Sequence, residues 1–264
     1  MKVKHLKSIT IVAVIALLGS CTKTEEIIKE IKNEAGEITL TFDNVYADED
    51  FVLNKEYTLS NGEKIKPSTA TYIISNVVLT KEDGSVYAIP KSKSYFIVDE
   101  SKKANTAKIN LMGIPTGKYT KITFGIGIDE AQYKAGAGGQ GDLTERAREF
   151  GMMWSWQAGY KFIKFEGEFT SATKANEEFK VHTGKTGDVY NYAQSELSLT
   201  EKAIISPEKT SYITIKADLS KILDGEFKPS LEQTPQIMGG EGVRQITQKN
   251  VKLIFSVGSV QNTK

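Results

Sequence analysis

Both tryptophans of the chain fall in one short segment that also carries two methionines. The segment holds Met152, Met153, Trp154 and Trp156, and on an extended chain the two indoles would point to the same side. Thioether and imidazole side chains are ligands that suit copper, above all Cu(I). His182 is the one histidine outside the first 20 residues, so only it could supply an imidazole. The alternative interpretation is structural, because Trp and Met also fill cores.

Other patterns with chemical potential favour loops over a catalytic site. The run Gly136–Gly141 has G-x-G-x-x-G spacing, but the preceding strand should end near Ile128, and no βαβ unit surrounds the run. No G-x-S-x-G motif is present. The chain is therefore predicted not to be an enzyme. A hydrolase is the weakest alternative and would need two carboxylates in a cleft.

An acidic cluster precedes residue 51. It lacks the spacing of an EF-hand calcium loop, and we interpret it as solvated loop charge; its members are Asp43, Asp48, Glu49 and Asp50. The whole chain of 264 residues has a net charge of +1, which gives no reason to expect a nucleic-acid partner.

The N-terminus has the parts of a bacterial export signal. Three lysines, Lys2, Lys4 and Lys7, precede an apolar run of ten residues at 9–18, about half of the roughly 20 that a membrane-spanning helix needs. Leu18-Gly19-Ser20-Cys21 then resembles a lipobox. The resemblance implies cleavage after residue 20 and lipidation of Cys21, whose acyl chains would anchor the protein to a membrane. A plain secretory signal with a chance cysteine is the alternative.

Residues 21–36 are rich in Lys, Glu and Thr and are predicted to form a flexible tether. The pair Glu25-Glu26, shortly after Cys21, resembles the surface-export signals of Bacteroidetes lipoproteins. We therefore predict an outer-membrane lipoprotein of a Gram-negative, Bacteroidetes-like bacterium, either periplasmic or exposed at the surface.

Residues 37–264 are predicted to form one all-β domain, an antiparallel β-sandwich with few short helices. Apolar residues alternate with polar or small ones in several segments, as at Ile122-Phe124-Ile126 and at Val251-Leu253-Phe255-Val257. Turn signals such as Asn61-Gly62 and Asp83-Gly84 separate the segments.

Two helices are predicted. The first follows a capping-box spacing at residues 142–145 and ends at Gly151, and the second covers one or two turns within 218–223.

Several of these segments together resemble the MbnP-like family, named for a partner protein of methanobactin operons. The resemblance covers nearly the whole mature domain in order, and its most specific part is the W-x-W-x-x-G-Y-K-F block at 154–162. The other matching segments are Leu40–Val45, Tyr72–Val77, Tyr95–Asp99, Phe124–Asp129, Phe179–Gly184 and Asn250–Phe255.

The resemblance implies a β-rich fold with a copper site built from His side chains and a Trp that can be oxidised to kynurenine. It also implies a partner, a di-haem enzyme related to cytochrome c peroxidases, that makes this modification. His182 matches the family's H-x-G segment, and Trp154 or Trp156 matches the oxidised Trp. Many members have a further His where this chain has Asn44, a poor ligand for Cu(I), so Met152, Met153 or another donor would have to contribute.

The loss of that imidazole leaves a second functional hypothesis open. The chain would then be a non-catalytic surface module that retains the scaffold and binds a protein or a glycan. Surface aromatic residues in loops would carry such binding, and the candidates are Tyr133, Tyr190 and Tyr192. Clustering of these rings at one end of the sandwich would favour this hypothesis, and burial would not.

Overall fold

The computed structural model of the protein describes residues 34–155 and 159–263. The predicted signal, Cys21, the tether up to residue 33 and Trp156 lie outside these ranges. None of the helices in the described ranges has the length and apolar character needed to cross a membrane.

Strands dominate the described part. They are β1 (Ala35–Tyr46), β2 (Glu49–Asp50), β3 (Tyr57–Thr58), β4 (Lys64–Lys81), β5 (Val86–Ala88), β6 (Tyr95–Asp99), β7 (Lys108–Pro115), β8 (Gly117–Ile126), β9 (Lys161–Thr170), β10 (Glu177–Thr186), β11 (Val189–Tyr190), β12 (Ala193–Ile205), β13 (Thr210–Asp218), β14 (Gln236–Ile237) and β15 (Phe255–Asn262).

The helices are short. They are α1 (Lys103–Thr106), α2 (Glu130–Ala135), α3 (Leu143–Glu149), α4 (Lys221–Asp224) and α5 (Gly240–Gln245), with single 3₁₀ or π turns between some of the strands. Helix α3 confirms the prediction made from the capping-box spacing, although the Asp142 side chain binds Arg146 instead of capping the backbone. Helix α4 lies mostly within its predicted segment.

The strands form two sheets that enclose the main core. The smaller sheet runs β15-β13-β1-β2, with β7 on β1, and the larger runs β11-β10-β9-β4-β8-β12. Phe42 of the small sheet meets Phe124 of the large sheet edge to face at 5.7 Å. Burial of apolar side chains from both sheets supplies most of the stabilisation of such a sandwich. The predicted all-β sandwich with few short helices is confirmed.

Three details differ from the sequence-based prediction. Strands β1 and β13 pair in parallel, as do β10 and β14, which the long connections between them allow. Ala35 and Gly36, predicted to be tether, already pair with β7. Residues 251–253 form a 3₁₀ turn instead of a strand, because the preceding Asn250 is fully buried and its side chain bonds the carbonyls of Ile222 and Phe227.

A second, smaller core covers the other face of the large sheet. Alternation along the strands points Ile73 of β4 and Phe162 of β9 away from the main core, and residues from the α3 region pack on them. The large sheet is therefore covered on both faces. The candidate site lies on this second face.

Candidate functional site

His182 projects from β10 toward the second face of the large sheet. Its neighbour Val181 belongs to the main core, so alternation points His182 the other way. The residue directly across on β9 is Lys164, and Glu166 is the next β9 residue on the same face. The His182 side chain is buried, with 4 % of its surface exposed.

Trp154 packs on this imidazole. The ring centroids of Trp154 and His182 are 5.7 Å apart, at an interplanar angle of 59°. The Trp154 backbone N–H donates to the carbonyl of Gly159, and Met153 bridges to Tyr160, so the chain folds back before β9. The structure thus brings together two residues that the sequence predicted to share a site.

Gly184 makes room for the indole. Its φ is +147°, and a Cβ there would lie 2.5 Å from the Tyr160 carbonyl oxygen and 3.1 Å from a ring carbon of Trp154. Only glycine adopts this backbone without strain. The segment His182-Thr183-Gly184 therefore supplies the imidazole at its first residue. At its third residue, Gly184 leaves space for the Trp154 ring that packs on the imidazole.

Glu166 orients the imidazole. Nε2 of His182 lies 2.6 Å from a carboxylate oxygen of Glu166. Burial lowers the pKa of His182, and this effect outweighs the hydrogen bond to Glu166. Burial alone would raise the pKa of Glu166, but the bonds and charges of His182 and Lys164 bring it below its usual range. The pair is therefore a neutral imidazole that donates Nε2–H to a carboxylate.

This tautomer leaves the lone pair of Nδ1 in the plane of the ring. Nδ1 is buried and has no hydrogen-bond partner in the described part of the chain. A metal-binding histidine usually donates its other ring N–H to a carboxylate in this way. Nδ1 is therefore the ring nitrogen of His182 that keeps an uncommitted lone pair.

Two lysines make the surroundings of the site positive. The Lys161 ammonium lies 5.9 Å from the Trp154 ring centre and donates to the carbonyl of Gly151. The Lys164 ammonium is 3.7 Å from Glu166. Burial lowers the pKa of Lys161, and the charge of Lys164 adds to this effect. With a single carboxylate for two ammonium groups, the site does not attract cations by charge.

The methionines lie on the same face as His182. Met152 is fully buried in the second core, and Met153 packs against that core. Burial of Met152 among apolar side chains matches the structural interpretation of this residue. Trp156, the other indole of the predicted site, is outside the described residues.

Asn44 does not share this site. It extends the core-facing row of β1, where its Nδ2 donates to Glu100 at 3.0 Å and its Oδ1 accepts from the Tyr72 hydroxyl at 2.8 Å. Tyr72 belongs to the main core, so the large sheet separates Asn44 from His182. Within residues 34–155 and 159–263, no group of three or more His, Cys, Asp or Glu side chains is arranged to hold a metal ion.

No motif in the sequence singled out Glu166 as a site residue. Glu166 lies on β9, and nothing in the sequence set the register of that strand against β10. The diagonal contact of Glu166 with His182 follows from the observed pairing of His182 with Lys164.

The three tyrosines predicted to lie in loops cluster but are half-buried, and Tyr133 lies in α2 and Tyr190 in β11, so only Tyr192 lies in a loop. The Tyr133 and Tyr190 rings are 5.5 Å apart, and Tyr190 also contacts Phe162. Together with Tyr192 they pack on the second core. Clustering was the feature expected of a binding surface, and the partial burial of the rings counts against it.

Comparison with known proteins gives one family and one structure. A family model described as MbnP matches residues 35–239. The solved structure of MbnP from Methylosinus trichosporium is similar to this chain with a TM-score of 0.50 and 14 % identity, covering 88 % of this chain and 100 % of that one. At this identity the likeness concerns the fold. No curated protein matches the chain.

Proposed function

The chain belongs to the MbnP family, and from that premise we propose that it is an exported, non-enzymatic protein that binds copper through Nδ1 of His182. The single observation that carries the proposal is the Glu166–His182 hydrogen bond, since it leaves Nδ1 as a buried acceptor beside the Trp154 ring. A neutral imidazole whose tautomer a carboxylate fixes is a ready ligand for late transition metals.

The arrangement of His182 and Glu166 suits one copper ligand well. The surrounding residues suit a complete copper site less well. His182 would bind the metal, Glu166 would hold the imidazole, and the Trp154 ring would shield the position from water. Two lysines oppose a cation here, and the described residues offer no second imidazole. We therefore expect weaker copper binding than a site with two histidines would give.

The proposal includes the features implied by the N-terminus and by the family resemblance. Cys21 would carry the lipid that anchors the protein to the outer membrane. Trp154 or Trp156 would be oxidised to kynurenine by a di-haem partner, and Trp154 is a candidate because its ring packs on His182. Peptide mass mapping of protein from its native host tests both modifications.

Equilibrium dialysis with Cu(I) under anaerobic conditions tests copper binding. We expect stoichiometric binding by the native protein and none by His182→Ala. Glu166→Gln should weaken binding by about 10–100-fold, as loss of a partner that orients a metal ligand does. Asn44→Ala is the matched control, because it lies on the other side of the large sheet. No binding by the native protein, or equal binding by His182→Ala, would reject the proposal.

The second candidate is a non-catalytic binding module without a metal. It is favoured by the two lysines around a single imidazole and by the engagement of Asn44 with Tyr72 and Glu100. The dialysis experiment separates the two candidates, since a module of this kind would retain no copper in any variant.

A further inference from the structure

A cavity of about 260 Å³ lies away from His182, between the end of β6, α1, the start of β7 and α3. No residue of the Trp154–His182 site lines it. Basic residues outnumber acidic ones in its walls, which also contain apolar residues. A concave, partly apolar site with a few convergent polar groups is the usual form of a small-molecule site.

Apolar side chains form one part of the wall. Phe96 and Ile97 of β6, Ile109 of β7 and Phe150 at the end of α3 line the cavity. Two aromatic rings in so small a volume favour a ligand with a flat or compact apolar body, because burial against rings contributes free energy in proportion to area.

Three cations and one carboxylate form the charged part of the wall, beside the neutral polar residues Asn105 and Thr106. Lys102 is already engaged, since its ammonium lies 3.0 Å from Glu149 and 4.3 Å from the Phe150 ring centre. The remaining cations at the cavity are Lys108 and Arg146. Glu149 is paired with Lys102 and Arg146 with Asp142, so the positive charge without a paired carboxylate at the cavity is that of Lys108.

Lys108 and Arg146 both retain donors. Arg146 uses Nε and one terminal nitrogen on Asp142 and on the carbonyl of Tyr95. This fixes its guanidinium and leaves the other terminal nitrogen for a ligand. Lys108 forms no ion pair within the described ranges. A positioned guanidinium and an ammonium that line the same cavity are suited to an anion, above all to a carboxylate.

We propose that this cavity binds a small organic carboxylate. The apolar body of the ligand lies on Phe96 and Phe150, and its carboxylate accepts hydrogen bonds from Lys108 and Arg146. Inorganic anions lack the body that the aromatic wall requires, and neutral aromatic compounds lack the charge. The proposal does not depend on copper binding, because the two sites share no residue.

Equilibrium dialysis of the full-length protein with benzoate, benzamide and acetate tests the proposal. We expect saturable binding of benzoate, and binding of benzamide and of acetate weaker by about tenfold or more, since each lacks one of the two recognised parts. Raising the salt concentration should weaken benzoate binding.

Lys108→Ala is the decisive variant, because Lys108 is exposed and has no ion pair to lose among the residues that the structure describes. We expect it to weaken benzoate binding by about tenfold, with Lys108→Arg restoring most of the affinity. Lys93→Ala removes another exposed lysine outside the cavity and should change nothing. Equal binding of benzoate and benzamide, no saturable binding, or native affinity in Lys108→Ala would overturn the proposal.

Discussion

At the scale of single residues, the chemistry of the site depends on one hydrogen bond. Glu166 accepts from Nε2 of His182 and thereby decides which ring nitrogen keeps a lone pair. Burial keeps the imidazole neutral by lowering the pKa of His182, whereas a solvent-exposed histidine would be partly protonated near neutral pH. The sequence alone identified His182 and Trp154 as candidate residues. The hydrogen bond to Glu166 is what leaves Nδ1 of His182 as the candidate ligand atom.

A substitution at Gly184 tests the packing of Trp154 on His182. We expect Gly184→Ala to destabilise the protein by about 2 kcal/mol or more, because it adds strain at a positive φ and places a Cβ against Trp154 and Tyr160. The tryptophan emission should shift as the ring is displaced. Urea denaturation followed by fluorescence measures both effects.

Gly187→Ala is the matched control. Gly187 also has a positive φ, of +57°, but a Cβ there would meet nothing within 4 Å. It should cost about 1 kcal/mol from backbone strain alone and leave the emission unchanged. Similar losses in the two variants would mean that the Trp154 contact imposes no constraint at Gly184.

At the scale of elements, β4 is the strand on which the large sheet is built. It has 18 residues and pairs with β9 and β8 and with three shorter strands. Glu63, just before β4, ties its start to a distant loop. The buried Glu63 carboxylate accepts from the Ser230 hydroxyl at 2.8 Å and from the backbone N–H groups of Leu231 and Glu232 at 2.9 and 3.0 Å.

Glu63→Gln should lower the free energy of unfolding at pH 7 by about 2–3 kcal/mol, because hydrogen bonds to a charged acceptor are lost. Burial alone would raise the pKa of Glu63, but the donors of Glu232, Leu231 and Ser230 outweigh it and lower that pKa. The unfolded state therefore binds the proton more tightly, and the stabilisation is complete above the unfolded pKa of about 4.3.

The difference between native protein and Glu63→Gln should shrink as the pH falls through the lowered pKa of folded Glu63. Urea denaturation at a series of pH values from 7 downward measures it. Glu201→Gln, at an exposed position on β12, should change stability little at any pH. A difference for Glu63→Gln that is independent of pH would contradict the role of the ionised carboxylate.

At the scale of the whole molecule, the large sheet carries one core on each face. The main core joins the two sheets, and the second core joins the large sheet to the α3 region. The candidate copper site lies beside the second core, and the strands of the large sheet carry its residues His182 and Glu166. Asn44 lies on the far side, which explains why its substitution is expected to spare copper binding.

Anchoring by Cys21 is the prediction that concerns the whole protein in its cell. Cys21→Ser removes the only thiol, so we expect the variant to lack the lipid and to move from the membrane fraction to the soluble one. Cell fractionation and intact mass measurement detect this change. A Cys21→Ser protein that stays in the membrane fraction would mean that another feature anchors it.

Much of the fold followed from local patterns. Alternation at Ile122-Phe124-Ile126 and a capping spacing before α3 were sufficient to predict strands and a short helix, because both depend on neighbours in sequence. Alternation predicted a strand at residues 251–253, and this prediction was wrong. The Asn250 side chain donates to distant carbonyls, and these hydrogen bonds favour a helical turn there. Long-range hydrogen bonds of this kind leave no periodic signal.

The sequence by itself determined the class of the fold and the residue types of the candidate site, and it predicts an export signal, since periodicity, composition and motif spacing are local properties. Only the tertiary structure decided that His182 and Trp154 meet, that Glu166 selects Nδ1, and that Asn44 is excluded from the site. These outcomes depend on strand register and on which face of a sheet a residue occupies, and a shift of one residue in either would reverse them.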